Sequence, residues 1–229
     1  MNADESLRIL ADEVSTCRIC PRLANYRETV AREKRRMFRD WTYWGRGVPG
    51  FGDPAAKLFI LGLAPAAHGA NRTGRVFTGD RSGDFLYRAL YQAGLANQPT
   101  SVKLGDGLQL KNAYIAAAVR CAPPANKPLP NEILNCRRYL MRELNILRPK
   151  AVLALGKIAW DAYLDILKQD KKINSRSAYK FSHGAEARFS SDMPHLFGVY
   201  HPSQQNTQTG RVTQAMYATA LKRIATFLD

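Results

Sequence analysis

The sequence predicts an α/β protein, a three-layer α/β/α sandwich with a central four-stranded parallel sheet. Three observations predict it. Four short apolar runs, at residues 57–63, 113–119, 151–155 and 195–200, are each followed by a loop and then a segment of helical period. That alternation is the pattern of parallel strands joined by crossover helices. The 229 residues, 45% of them hydrophobic, suffice for one packed core. No repeat, low-complexity tract or linker interrupts the chain, so residues 1–229 are expected to form a single domain.

In chain order, residues 7–14 predict a short amphipathic helix that Asp4 or Ser6 can cap. A cysteine-containing stretch, 17–22, follows, and Pro21 is expected to break any continuation. Residues 26–40 are highly charged and expected to be helical. Arg32, Lys34, Arg35, Arg36 and Arg39 there fit a solvated face as readily as a binding surface. Residues 41–54, with several glycines and Pro49, predict a loop. The first strand opens into a long Gly-rich loop, 62–83. A helix over 84–93 follows, with Phe85, Leu86, Ala89 and Leu90 on one face. The second strand leads through a Pro-rich loop, 122–130, to a helix over 132–147 that Pro149 ends. The third strand is followed by a helix over 157–167. The polar segment 168–192 is either an excursion loop or a hairpin. The fourth strand ends at His201-Pro202, and a helix over 212–228 closes the chain.

Charge narrows the partner. Against 19 acidic residues stand 34 Lys and Arg, a net charge of +15. Such a surplus predicts a polyanion, because each phosphate neutralised releases condensed counterions. Nucleic acid is the first expectation, with an anionic membrane surface or the ribosome as alternatives. No secretory signal opens the chain: two acids fall in its first six residues, and Arg8, Asp12 and Glu13 interrupt the next apolar stretch. No apolar run approaches the roughly 20 residues needed to cross a bilayer. The expected setting is a reducing cytoplasm, where clustered cysteines bind metal more often than they form disulfides.

Cys17 and Cys20 have C-x₂-C spacing, Cys121 and Cys136 are 14 residues apart, and no further cysteine exists. A C-x₂-C turn can aim two thiolates at one centre, and the Pro-rich loop can bring Cys121 and Cys136 to the same place. Spacing leaves three possibilities open: a tetrahedral zinc, an iron–sulfur cluster, or buried free thiols acting as small hydrophobes.

In parallel sheets ligands bind beyond the carboxyl ends of the strands, so the loops there carry the information. The first begins Gly62-Leu63-Ala64-Pro65-Ala66-Ala67-His68-Gly69 and runs to Phe77-Thr78-Gly79-Asp80; the last begins His201-Pro202-Ser203. Together with the cysteine spacing, these loops resemble the uracil-DNA glycosylase superfamily. The match is to its fifth family, often called type B, which carries a four-iron, four-sulfur ([4Fe-4S]) cluster. The likeness runs from Cys17 to the closing helix. Positions Leu63 and Ala64 hold carboxylates in other families, and Ala117 stands where several have an Asn reading uracil's polar edge. Both departures are typical of type B.

The resemblance implies a DNA repair enzyme that hydrolyses the N-glycosidic bond of uracil and other deaminated bases, such as hypoxanthine, leaving an abasic site. It implies a double-stranded DNA partner with a flipped damaged base, a monomeric protein and a cytoplasmic, nucleoid-associated location. It puts the cluster on Cys17, Cys20, Cys121 and Cys136. Gly62, Ala64, Pro65, His68, Phe77, Ala117 and Ser203 become the expected base pocket, with Phe77 stacked on the flipped base. Asn126 resembles a position that assists catalysis or base contact. Gln204 and Gln205 follow Ser203 in a loop that enters the minor groove in the superfamily. Ser203 and Thr73 could grip phosphate, with Arg72, Arg75 and Arg81 adding charge.

Two residues are expected to carry the chemistry. Asp80, the carboxylate nearest the first motif, can orient water or stabilise a cationic sugar. It also fits a helix N-cap, although Asp84 is the expected cap. His201 can donate to a base carbonyl on which negative charge accumulates, and a neutral imidazole suffices. His183 and His195 are expected to be structural or at the surface. Two rivals remain: a non-catalytic DNA-binding or damage-sensing protein on the same fold, and a redox protein in which the cluster itself acts.

Overall fold

The computed structural model describes residues 2–190 and 193–228, so Ser191 and Asp192, the end of the expected polar excursion, lie outside the described residues. The four predicted strands form the centre of the sheet: β2 (Leu58–Gly62), β3 (Ala113–Ala117), β4 (Ala151–Leu155) and β6 (His195–Val199). All are parallel, with β3 and β4 flanking β2 and β6 beside β4. Two further strands make the sheet six-stranded, in the order β1-β3-β2-β4-β6-β5. β1 (Phe51–Gly52) pairs antiparallel to β3, and β5 (Ala185–Ala187) antiparallel to β6. The expectation of four strands is therefore corrected at both edges. The segment 41–54 ends in a strand, and the polar excursion returns along the sheet. Strands of two and three residues are too short to carry an alternating pattern.

Every residue of the four central strands is buried. Alternate side chains feed two cores. Leu58, Ile60, Ile115 and Leu153 face the core closed by α4 (Arg81–Gln92) and α8 (Gln214–Leu228). Phe59, Leu61, Val152 and Ala154 face the core closed by α5 (Pro130–Leu147) and α6 (Lys157–Gln169). The expected three layers are present. Among the described residues no helix is long and apolar enough to cross a membrane.

The N-terminal third differs from expectation in both of its helices, and Asp4 and Ser6, the expected caps of the first, lie inside it. α1 (Ala3–Thr16) is capped by Asn2, whose side chain accepts from the Glu5 N–H at 2.8 Å. Pro21 starts α2 (Pro21–Glu33) rather than ending a helix. At the first helical position its missing N–H has no intrahelical partner to lose. α2 stops at Lys34, which has φ +56°, and a single 3-10 turn over Arg36–Phe38 follows. The continuous helix expected over 26–40 is therefore broken at 34.

Candidate active site

The loops after β2, β3 and β6 meet over the carboxyl ends of the strands and enclose a cavity of about 540 Å³. Ala64, Pro65, Phe77 and Asp80 come from the first loop, Ala117 from the end of β3 and Asn126 from the loop after it, and His201, Ser203, Gln204 and Gln205 from the third. Residues 141 positions apart in the sequence, Ala64 and Gln205, thus share one space. Leu63, Ala66, Ala70 and Val76 keep much of its lining apolar.

Asp80 has two roles at once. Its Oδ1 accepts from the Gly83 N–H at 3.0 Å, making it the N-cap of α4; Asp84, the expected cap, lies inside the helix. Its carboxyl also lines the cavity. Burial pushes it above the usual carboxylate range, against the pull of the Gly83 and Ser82 N–H groups and of the Arg72 charge. Gly69 makes room for it: a Cβ there would collide with Asp80 Oδ2. The sequence offered no sign of that contact, since Gly69 stands among other small residues in the loop.

His201 sits just beyond β6, and burial lowers its imidazole to about 4. It is neutral at physiological pH, as its expected role requires. The Phe77 ring lies beside it, centroids 5.7 Å apart at 33°. Phe77 holds φ at +51°, a left-handed conformation that costs a residue with a Cβ about 1–2 kcal/mol. Its ring fills the space over Gly62, where a Cβ would stand 2.7 Å from Phe77 Cε2. Gly62 thus shapes the site without lining the cavity. Asn126 is exposed at the rim with φ +55°, after Ala125 at +52°. Ser203 caps the short helix α7 (Gln204–Gln208), its Oγ accepting from the Asn206 N–H at 3.3 Å.

Four further expected site residues are placed otherwise. His68 does not line the cavity; its Nδ1 lies 3.0 Å from the Tyr43 hydroxyl. Arg72 and Arg75, expected to reach phosphate, are 4% and 3% exposed and turn inward. Arg72 donates to the carbonyls of His68 and Gly79, both at 2.8 Å, and its guanidinium packs 4.0 Å from the ring centroids of Phe38 and Trp41. Arg75 forms a bidentate ion pair with Asp106 and donates to Thr78 and Ser101. Both are internal braces of the Gly-rich loop. Thr73, also buried, donates its hydroxyl to the Thr78 carbonyl at 3.1 Å.

The four cysteines are free thiols, two half-buried (Cys17, Cys20) and two buried (Cys121, Cys136). Cys20, Cys121 and Cys136 pack together around Leu23 and Val119. Two of the sulfurs meet a hydrogen-bond donor. Arg27 Nη1 donates to Cys121 at 2.8 Å, and Asn135 Nδ2 to Cys20 at 3.4 Å. The Arg120 backbone lies near Cys136, and Tyr139 near Cys17. Burial pushes the Cys136 thiol up to about 12. Among the described residues, no group of three or more His, Cys, Asp or Glu is arranged to hold a metal ion as the side chains stand. Arg27 is a contributor that the sequence concealed. It falls four residues after Leu23 on the buried stripe of α2, which is the only hint that its side chain points inward.

The sequence is similar to that of known proteins. A family model for the uracil DNA glycosylase superfamily covers residues 49–225. The type-5 uracil-DNA glycosylase of Mycobacterium leprae is 49% identical over 92% of this chain and 91% of its own length. That of Thermus thermophilus is 49% identical over 93% and 95%, and that of Mycobacterium tuberculosis 51% over 89% and 75%. A type-4 enzyme of Pyrobaculum aerophilum is more distant, at 32% over 55% of the chain. The chain belongs to the uracil DNA glycosylase superfamily, within its type-5 group.

Proposed function

We propose that the protein is a DNA repair glycosylase that hydrolyses the N-glycosidic bond of uracil, and of other deaminated bases such as hypoxanthine, leaving an abasic site. The observation that carries this reading is that Asp80 and His201, from separate loops, line one cavity beside the Phe77 ring. Superfamily membership supports the reaction class.

Breaking the bond leaves positive charge on the sugar and negative charge on the base. Fixed groups in a dry cleft stabilise such charges without the reorganisation that water would need. Asp80, as the carboxylate, supplies the negative end, beside the sugar or its attacking water. His201, neutral and with a ring N–H to donate, supplies the positive end at a base carbonyl. The target nucleotide leaves the stack first, because the duplex shields its glycosidic bond. Phe77 offers the extruded base a face, and stacking of this kind tolerates several base shapes. Ala117 and the apolar Leu63 and Ala64 bring no polar group that selects uracil alone. These features support a broad substrate range.

Cys17, Cys20, Cys121 and Cys136 are the residues that would hold a four-iron, four-sulfur cluster. The donor set fits chemically: four thiols, none in a disulfide, with hydrogen-bond donors on Cys20 and Cys121. Hydrolysis transfers no electron, so the centre's contribution is to tie α1 and α2 to the loop after β3. Iron analysis and the visible spectrum of the purified protein test this, and a colourless protein carrying zinc would overturn it.

The activity is tested with duplexes containing uracil or hypoxanthine, followed by alkaline cleavage of abasic sites. Strand breaks at both bases are expected. Breaks at neither would sink the enzyme, and breaks at uracil alone would restrict its range.

A further inference from the structure

We infer that the turn after α2, built on Arg35, Arg36 and Arg39, is a contact surface for the phosphate backbone of duplex DNA beside the extruded nucleotide. The inference rests on the proposed action on DNA. Where α2 ends at Lys34, the chain folds into a 3-10 turn that leaves all three arginines exposed. Lys34 Nζ closes the turn by donating to the Arg39 carbonyl at 3.0 Å. The three arginines and Met37 line one open groove of about 490 Å³, and no carboxylate lines it.

Unlike several other arginines, they have no acidic partner among the described residues. Elsewhere Arg18, Arg75, Arg120, Arg142 and Arg223 each reach an Asp or Glu. Among the described residues Arg35, Arg36 and Arg39 form no ion pair. Three unpaired cations within five residues repel one another, and a polyanion relieves that repulsion while releasing its own counterions.

Their position ties the groove to the cleft. Phe38, inside the turn, and Trp41, just after it, pack on the buried Arg72 guanidinium, which donates to the carbonyl of Gly79, the neighbour of Asp80. Arg35 is close enough to His68 to add to the lowering of its imidazole by burial. The next residue, Gly69, lies against the Asp80 carboxylate. The turn therefore stands on the outer wall of the loop that carries Asp80. It supplies the phosphate contacts that the inward-facing Arg72 and Arg75 do not.

The test measures binding of the full-length protein to a uracil-containing duplex by fluorescence anisotropy, from 50 to 200 mM KCl. Three variants are compared: wild type, the triple Arg35→Ala/Arg36→Ala/Arg39→Ala, and the triple lysine replacement at the same positions. With about 0.9 counterions released per phosphate contact, the salt slope of the alanine triple is expected to be shallower by about 2.7. Its single-turnover excision rate at saturating protein should match wild type. The lysine triple should keep the slope, because charge rather than guanidinium shape carries the contact. An unchanged slope in the alanine triple would overturn the inference. So would a slope lost equally in the lysine triple, since that marks a structural role for the turn. A wild type that binds the duplex but excises nothing would sink the proposed activity and leave the contact surface standing.

Discussion

Asp80 and Glu143 are both carboxylates withdrawn from water, and their surroundings answer them differently. Glu143, on α5 beneath β3, is 1% exposed and takes the Arg120 guanidinium on both oxygens. The Tyr114 hydroxyl and the Gly50 N–H stand beside it and favour its charged form. Burial pushes both carboxyls up. Asp80 is answered only by two backbone N–H groups and the more distant Arg72 charge, and it opens onto a cavity. A carboxylate answered on all sides fixes the structure around it. One answered on one side keeps its charge available to whatever enters the cleft. The same contrast separates the arginines: Arg72 and Arg75 are consumed by internal bonds, while Arg35, Arg36 and Arg39 are not.

The largest effect is expected where the answered charge is broken. Arg120→Met strands Glu143 in the core, and urea unfolding should show a loss of about 3–5 kcal/mol. The double variant Arg120→Met/Glu143→Leu should recover most of it, though not all, because the Tyr114 hydroxyl and the Gly50 N–H lose the charge beside them. Equal losses in the single and double variants would show that the pair is not what holds this region.

Asp80→Asn should do the reverse. Asn caps helices about as well as Asp, so the melting temperature should hold. Single-turnover excision should slow by about 10²–10³, the scale for losing one preorganised group. In wild type, excision should fall on the acid side at a pH above the usual carboxylate range, because the buried carboxyl protonates early. A normal rate for Asp80→Asn would make Asp80 a cap and nothing more.

The smallest effect concerns His201. Its imidazole is near 4 when folded against about 6.5 when unfolded. Between those values the unfolded chain binds more protons, so stability falls as pH drops from 6.5 toward 4. The slope from this one group is at most about 1.4 kcal/mol per pH unit. His201→Gln should flatten that part of the stability curve, read by urea unfolding across this range. A variant curve parallel to wild type would mean that His201 is not desolvated in the fold.

Much of this was legible in the sequence, for reasons that can be traced to particular residues. Leu58–Leu61 and Val152–Leu155 announced central strands because a strand buried on both faces must be apolar at every position. Gly62, Asp80 and His201-Pro202-Ser203 marked the site because loops at strand ends hold chemistry and their residue types are restricted. The edge strands Phe51–Gly52 and Ala185–Ala187 were not legible, being too short for a pattern. Pro21 was misjudged because the same ring that breaks a helix interior is at home in its first turn.

By itself the sequence determined the α/β alternation, the basic charge, the four cysteines and the motif loops, since each rests on local periodicity, composition or spacing. Only the tertiary structure decided which way the charged side chains point. Arg72 and Arg75 look identical in the sequence to Arg35 and Arg36, and nothing local separates them. Direction depends on what the rest of the chain presents: Gly79, Asp106 and two aromatic rings draw one pair inward, and among the described residues no ion pair claims the other. Asp80 became both cap and cavity wall for the same reason. Its partners at Gly83 and Gly69 are near in sequence, but His201 shares its cavity only because β2 and β6 lie in one parallel sheet and end at the same edge.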